Sequence, residues 1–222
     1  MTSQKLFDDS LADETGTGWK VSLDALYRPW LVAADSEDPR VVLTGVYLDP
    51  AGWAVASDGF VVAVVPAQVQ PGILQTEPFS GAIVPAGFLK AAHAAAKKRK
   101  LERVEVSIIG SRARYEVPGG GAWCDLLDFA YPLWRALVPA KCASSKNVNG
   151  VNPDLAAKVG EAIGGSVFRW ISGTDDNAPF VMTGPDGESF GLVMPMLVNR
   201  DPPTALLERA RFVPELAGGR GD

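Results

Sequence analysis

Apolar and polar positions alternate in short runs over most of this chain. Val104-Glu105-Val106-Ser107-Ile108-Ile109, Arg112-Ala113-Arg114-Tyr115-Glu116-Val117 and Ser189-Phe190-Gly191-Leu192-Val193-Met194 follow a period of two, the signature of half-buried strands. Val41-Val42-Leu43-Thr44-Gly45-Val46-Tyr47-Leu48 and Val55-Ala56-Ser57-Asp58-Gly59-Phe60-Val61-Val62-Ala63 are more continuously apolar. They predict two strands flanking a turn, ending in an Asp58-Gly59 tight turn that re-enters a strand. Three segments pass from a strand into helical spacing: Val21 to Leu26, Ile83 to Leu89 and Val151 to Leu155. Pro85 and Pro153 stand where a first helical turn tolerates a missing N–H. In the first segment Leu23, Leu26, Tyr27, Trp30 and Leu31 recur at three- and four-residue spacing, which predicts one buried helical face, with Pro29 as a kink or break inside it. The pattern is an α+β one: a helix on a small antiparallel sheet, repeated roughly every 60–70 residues.

Residues 1–18 are polar and acidic, close on Gly16-Thr17-Gly18, and read as a flexible leader. At the other end Asp201-Pro202-Pro203 breaks the last strand, and Thr204 stands as the cap of a short helix with Leu206, Leu207 and Ala210 on one side.

The bulk numbers narrow the function classes. A chain of 222 residues, 47% hydrophobic and 21% charged, buries a substantial core in one or two domains. A net charge of −5 argues against a generally basic nucleic-acid binder and leaves room for one basic face. Cys124 and Cys142 are too few for a disulfide framework or a metal knuckle and read as reduced thiols. No apolar run approaches the roughly 20 residues that span a bilayer, and Met1 to Glu14 is acidic where a signal peptide starts basic. The expectation is a soluble, cytoplasmic chain. The sequence has no phosphate loop, paired-carboxylate signature or zinc spacing. His93 is its single histidine, and Asp58 belongs to its turn. A binding protein without catalysis, metal or cofactor is expected.

Tyr131-Pro132-Leu133-Trp134-Arg135-Ala136-Leu137-Val138-Pro139 and Gly191-Leu192-Val193-Met194-Pro195-Met196, read with the strands around Asp58-Gly59, resemble the bacterial sliding clamp family, the β subunit of DNA polymerase III. Residues 19–141 are similar to one complete middle clamp domain, and residues 147–198 to the second half of the last domain. The leader 1–18 and the tail 199–222 lie outside the likeness. That family builds each domain from two helix-on-sheet units, and six domains ring duplex DNA. The resemblance implies an α+β, DNA-clamp-like fold of three half-units, the first domain and the first half of the last having no counterpart.

It also implies a client pocket that takes short peptides with Gln, Leu and Phe anchors. Its walls would be Ser57, Gly59, Phe60 and Val61 from the turn, Pro132 and Leu137, and Met194, Pro195 and Met196. Met, Leu, Val and Pro side chains make adaptable apolar walls; the plainer reading makes the same residues core or turn. The family commonly has His-Arg after Asp-Gly, so Phe60-Val61 removes two polar handles. The leader's Gln4-Lys5-Leu6-Phe7 itself resembles a client peptide, a candidate occupant of its own or a neighbouring pocket.

A DNA-facing side is expected on the helix from Pro85 to Lys100. Lys90, His93, Lys97 and Lys100, spaced three, four and three apart, share one stripe, with Phe88, Leu89, Ala92 and Ala96 largely opposite. Lys98 and Arg99 add charge at the C-terminal end. Arg28, Arg40 and Lys158, the last beside Asp154 and Glu161, complete the candidates. Such a face contacts duplex DNA weakly, sensitively to salt and without sequence preference, or is simply solvated.

Two functions follow: a replication or repair accessory protein tethering polymerase or repair proteins to duplex DNA, or a module that binds clamp-directed peptides or another clamp without encircling DNA. A homo-oligomer is expected if third half-units pair about a two-fold axis: a dimer, or a tetramer that closes a ring. Residues 204–216 folding back over the same surface would leave a monomer.

Overall fold

The computed structural model of the chain describes residues 18–72, 77–139, 151–165, 169–171 and 178–196. The Gln4-Lys5-Leu6-Phe7 segment, Cys142 and the expected helix after Thr204 lie outside these residues.

The described chain runs β1 (Trp19–Asp24), β2 (Gly45–Asp49), β3 (Trp53–Ser57), β4 (Val61–Pro71), β5 (Ala82–Pro85), α1 (Ala86–Lys98), β6 (Arg103–Ile109), β7 (Arg112–Val117) and β8 (Gly120–Asp125). After the connection come α2 (Pro153–Ala162), β9 (Arg169–Ile171), β10 (Phe180–Thr183) and β11 (Phe190–Val193). The strands pair antiparallel in the order β5-β2-β3-β4-β1-β6-β7-β8, and β11, β10 and β9 branch from β4.

β4 organises the sheet. Its 11 residues meet β3 along Val62–Pro66, β1 along Ala67–Pro71 and β11 along Val61–Val64. β1 and β11 thus lie end to end along the flank opposite β3. The burial of β4 follows its text. Val61-Val62-Ala63-Val64-Val65 is buried throughout, and exposure returns at Gln68 and Gln70. A continuously apolar strand is what a sheet covered on both faces requires. One cover is the main core, which gathers Val61, Ala63 and Val65 with Leu23, Trp30, Leu48 and Leu89. The other is a smaller cluster that packs Val62 and Val64 under Trp134.

Helix α2 joins that main core rather than forming one of its own: Ala156, Val159, Ala162 and Ile163 are buried among the residues of β1, β2 and β4. Asn152 caps it, its side chain accepting from the N–H of Asp154 at 2.9 Å, with Pro153 in the first turn as expected. Gly191 lets it settle onto β11, because a Cβ there would run into the Val159 side chain.

The first of the three expected helices does not form. β1 runs to Asp24, whose Oδ1 accepts from Leu26 N–H at 2.8 Å, and only a short 3-10 turn follows at Pro29–Val32. Pro29 removes a helical donor, and the strand pairing of Val21 to Leu23 claims the residues that would have begun the helix. Tyr27, Trp30 and Val32 still face the core while Leu26 is exposed, so the apolar spacing is realised in a turn. Beside this turn sits α2, with Arg28 N–H donating to Ala162 O at 2.9 Å. A second difference is shorter: Val41–Thr44 is also a 3-10 turn, and extended backbone starts at Gly45. Among the described residues no helix is long and apolar enough to cross a membrane.

Candidate peptide pocket and basic face

The turn from β3 to β4 is fixed by its own side chains. Ser57 Oγ donates to Val61 O at 2.7 Å and accepts from Gly59 N–H at 3.0 Å. Asp58 Oδ1 accepts from the N–H groups of Phe60 at 2.9 Å and Val61 at 3.0 Å. Gly59 adopts φ +93°, and the Arg40 guanidinium occupies the place a Cβ would take. Phe60, 63% exposed, stands at the rim.

Facing the turn, the segment from Tyr131 to Leu137 is strapped to β2. Asp49, only 2% exposed, accepts from Arg135 Nη1 and Nη2, each at 2.8 Å, from Trp134 Nε1 at 3.2 Å and from Ala51 N–H at 2.8 Å. Burial alone would raise the Asp49 carboxyl, but the Arg135, Ala51 and Trp134 bonds outweigh it and hold it below the usual carboxylate range. Tyr131 stacks on Tyr47, ring centroids 4.9 Å apart. Burial pushes the Tyr131 phenol well above its ordinary value.

Between turn and strap lies a cavity of about 230 Å³. Ser57, Gly59, Phe60, Val61, Pro132, Leu137 and Met194 of the expected set line it together. Pro195 and Met196 continue from Met194 but are not part of the lining, and Met196 is exposed. Leu43, Val62, Tyr131, Trp134, Pro179 and Leu192 also line it. Leu43, Tyr131 and Trp134 belong to segments the sequence had already marked, whereas Pro179 carried no signal and arrives just ahead of β10, which pairs with β11 and through it with β4.

The expected DNA-facing residues divide. Lys90, Lys97, Lys98, Arg99 and Lys100 are exposed and make no ion pair among the described residues. His93 does not join them. It is 7% exposed, its Nε2 lies 2.8 Å from Ala25 O, and its ring packs on Trp30 with centroids 4.8 Å apart. Four residues after Leu89, it falls on the buried row of α1 rather than on the lysine stripe. Arg28 pairs with Glu161. Arg40 pairs with Asp38 at 2.8 Å and donates to Asp58 O at 2.9 Å; its guanidinium holds the Asp38 carboxyl down to about 2. Lys158 pairs with Asp58 at 3.1 Å. The exposed positions of α2 include Asp154 and Glu161, so the unpaired positive charge is concentrated on α1 and the turn after it.

Among the described residues no three His, Cys, Asp or Glu side chains gather as a metal ion would need. Cys124 is half-buried, and burial pushes its thiol up to about 11.

Neither the protein-family models nor the curated proteins include a match to this chain. Solved structures do match it. The DNA polymerase III β subunit of Thermotoga maritima superposes with a TM-score of 0.60 at 14% identity, over 82% of this chain and 66% of that one. The β sliding clamp of C. crescentus, solved with polyethylene glycol bound, gives 0.61 at 16% over 88% and 68%. The sliding clamp of Bartonella birtlesii, bound to griselimycin, gives 0.61 at 17% over 86% and 69%. The fold is therefore that of a sliding clamp, an α+β arrangement of helices on antiparallel sheet. The chain spans about two thirds of the length of the clamps it matches.

Proposed function

We propose that this protein is a clamp-like adaptor that holds a partner through a short peptide seated in the pocket between the Asp58-Gly59 turn and the Tyr131–Leu137 strap. The observation that carries this reading is the cavity itself. It is open beside exposed Phe60, Leu137 and Met194, walled by adaptable apolar side chains, and braced on both sides by satisfied hydrogen bonds, which is the form of a preformed ligand site. The partners would be polymerase or repair proteins carrying Gln, Leu and Phe anchors. The Bartonella clamp, solved with griselimycin bound, supports small-ligand binding by this fold.

The test is fluorescence polarisation with a labelled peptide of the chain's own Thr2–Ser10 sequence, which carries those three residue types. Phe60→Asp and Met194→Asp place a charge at the pocket in positions already exposed, so folding is preserved. Each is expected to weaken binding at least about tenfold, the equivalent of roughly 1.4 kcal/mol. Unchanged affinity in both variants would remove the pocket from consideration.

A second reading, tethering to duplex DNA, is favoured by the five unpaired cations of α1 and its following turn. The pairing of Arg28, Arg40 and Lys158 with carboxylates makes any such contact a one-helix affair, weak and steeply dependent on salt. Retention on closed circular duplex with release after linearisation would mark encirclement; equal behaviour on both forms would mark surface contact alone.

A further inference from the structure

The turn that forms one wall of the pocket is gripped from three parts of the chain. Arg40 donates from Nη2 to Asp58 O at 2.9 Å. Met194 N–H donates to Phe60 O at 3.0 Å. Lys158, on α2 and 100 residues from the turn in sequence, donates from Nζ to Asp58 Oδ2 at 3.1 Å. This last grip acts on the group that shapes the turn. Asp58 Oδ1 accepts from both Phe60 and Val61 N–H, so the orientation of one carboxylate decides where those two pocket-lining residues stand. The Asp58 side chain is only 16% exposed, and a carboxylate that far out of water is stable when paired. Arg40 is engaged elsewhere: its guanidinium forks onto Asp38 and reaches the main chain of Asp58 rather than its carboxylate. Among the described residues Lys158 is the cation bonded there. Phe60 depends most on the result. At 63% exposure its ring has little packing of its own, and the hydrogen bonds of the turn fix its place at the rim.

We infer that Lys158 is a positioning residue of the peptide pocket: from α2 it holds the Asp58 carboxylate, and through it the Ser57–Val61 turn, in the form that receives the ligand. The inference rests on the peptide-pocket reading above and adds that α2, which does not line the cavity, governs its affinity. The physical route is preorganisation. A turn released from its partner must be ordered again by the incoming peptide, and apparent affinity falls with the fraction of molecules already in the competent form. Lys158 lies off the buried row of α2, which holds Ala156, Val159 and Ala162, so its substitution leaves the helix seated on the core. The same pairing draws the lysine away from the duplex contact for which its charge alone would suit it.

The full-length parent, Lys158→Met, Lys158→Arg, Asp58→Asn and the Asp58→Asn/Lys158→Met double variant are titrated by fluorescence polarisation. Two labelled probes are used, the Thr2–Ser10 peptide and the same peptide with Asp8→Asn and Asp9→Asn. Lys158→Met is expected to bind both probes roughly three- to tenfold more weakly. Lys158→Arg, which keeps the charge, should bind like the parent. Asp58→Asn keeps an oxygen acceptor for the Phe60 and Val61 N–H groups and removes the charge, so it should weaken binding by a similar factor. The double variant should be no weaker than the weaker single one, because both changes break the same pair. Additive losses, equal weakness of the arginine and methionine variants, or parent-like binding by Lys158→Met or Asp58→Asn would each overturn the proposal while leaving the pocket reading intact. Weakening confined to the probe that carries Asp8 and Asp9 would show direct contact between Lys158 and the ligand, and would overturn it too. Failure of the parent to bind either probe, or unweakened binding by both Phe60→Asp and Met194→Asp, overturns the pocket reading and this proposal with it. Thermal melting separates positioning from mere support of the fold. A residue that only supports the fold lowers Tm and leaves affinity unchanged well below the transition, whereas Lys158→Met should lose affinity there.

Discussion

Asp49 and Gly59 show how single residues set the pocket. The Asp49 carboxylate ties Arg135 and Trp134 to β2, and Asp49→Asn keeps the shape while removing the charge that the Arg135 fork matches. The expected cost is about 1–3 kcal/mol, read as a loss of roughly 2–4 °C in Tm for each kcal/mol in a chain of this size. The pH dependence has a definite sign. The folded carboxyl sits below the ordinary value, so its contribution is full above the unfolded-chain pKa of about 3.9 and is lost as pH falls through the lower folded value. Melting curves from neutral pH to well below pH 4 should show parent and variant converging at the acid end; curves that stay parallel throughout would contradict the role. Gly59→Ala forces a Cβ into a left-handed turn already occupied by Arg40. A penalty of about 1–2 kcal/mol and a weaker peptide pocket are expected together, checked by denaturant unfolding and by polarisation.

At the scale of elements, the alternating strands were readable because period-two text has few other homes; β6, β7 and the strand around Leu192 fall where the alternation put them. The first helix misled because Leu23, Tyr27 and Trp30 bury the same face whether a helix or a strand and turn carries them, and Pro29 decided for the turn. His93 misled for a related reason: three- and four-residue steps connect it equally well to Lys90 and Lys97 or to Leu89, and only packing against Trp30 distinguishes the rows. The Asp49–Arg135 strap had no local trace at all, since its partners are 86 residues apart. Two predictions belong here. Gly191→Ala pushes a methyl into Val159 and should cost about 1–3 kcal/mol through overpacking, with α2 the first segment to lose amide-exchange protection. Lys90→Gln with Lys97→Gln should weaken any duplex binding and lower its logarithmic salt slope by about 0.9 for each phosphate contact removed; an unchanged slope would take α1 off the DNA.

For the whole molecule, the shared core changes the argument for assembly. The apolar side of α2 is covered by the Pro29–Val32 turn, β4 and β11 of its own chain, so a partner is not required to bury that helix. We therefore predict a monomer in dilute solution by light scattering coupled to size exclusion. A concentration-independent dimer would return the weight to pairing of third half-units.

The position of β4, flanked by β3 on one side and by β1 and β11 in tandem on the other, also dictates how the chain reaches its native state. Contacts between Val61–Val64 and Phe190–Val193 join segments well over 100 residues apart in sequence, and such closures come late and slowly because the loop entropy precedes the gain. Until they form, a growing chain carries a bare, flat run of Val61-Val62-Ala63-Val64-Val65 with free N–H and C=O groups along one flank, a ready template for another copy. Residues 178–196 therefore act on the rest of the protein as a built-in guard against aggregation. A chain ending near residue 139 should be recovered mainly as insoluble material even though every strand of its principal sheet path is present.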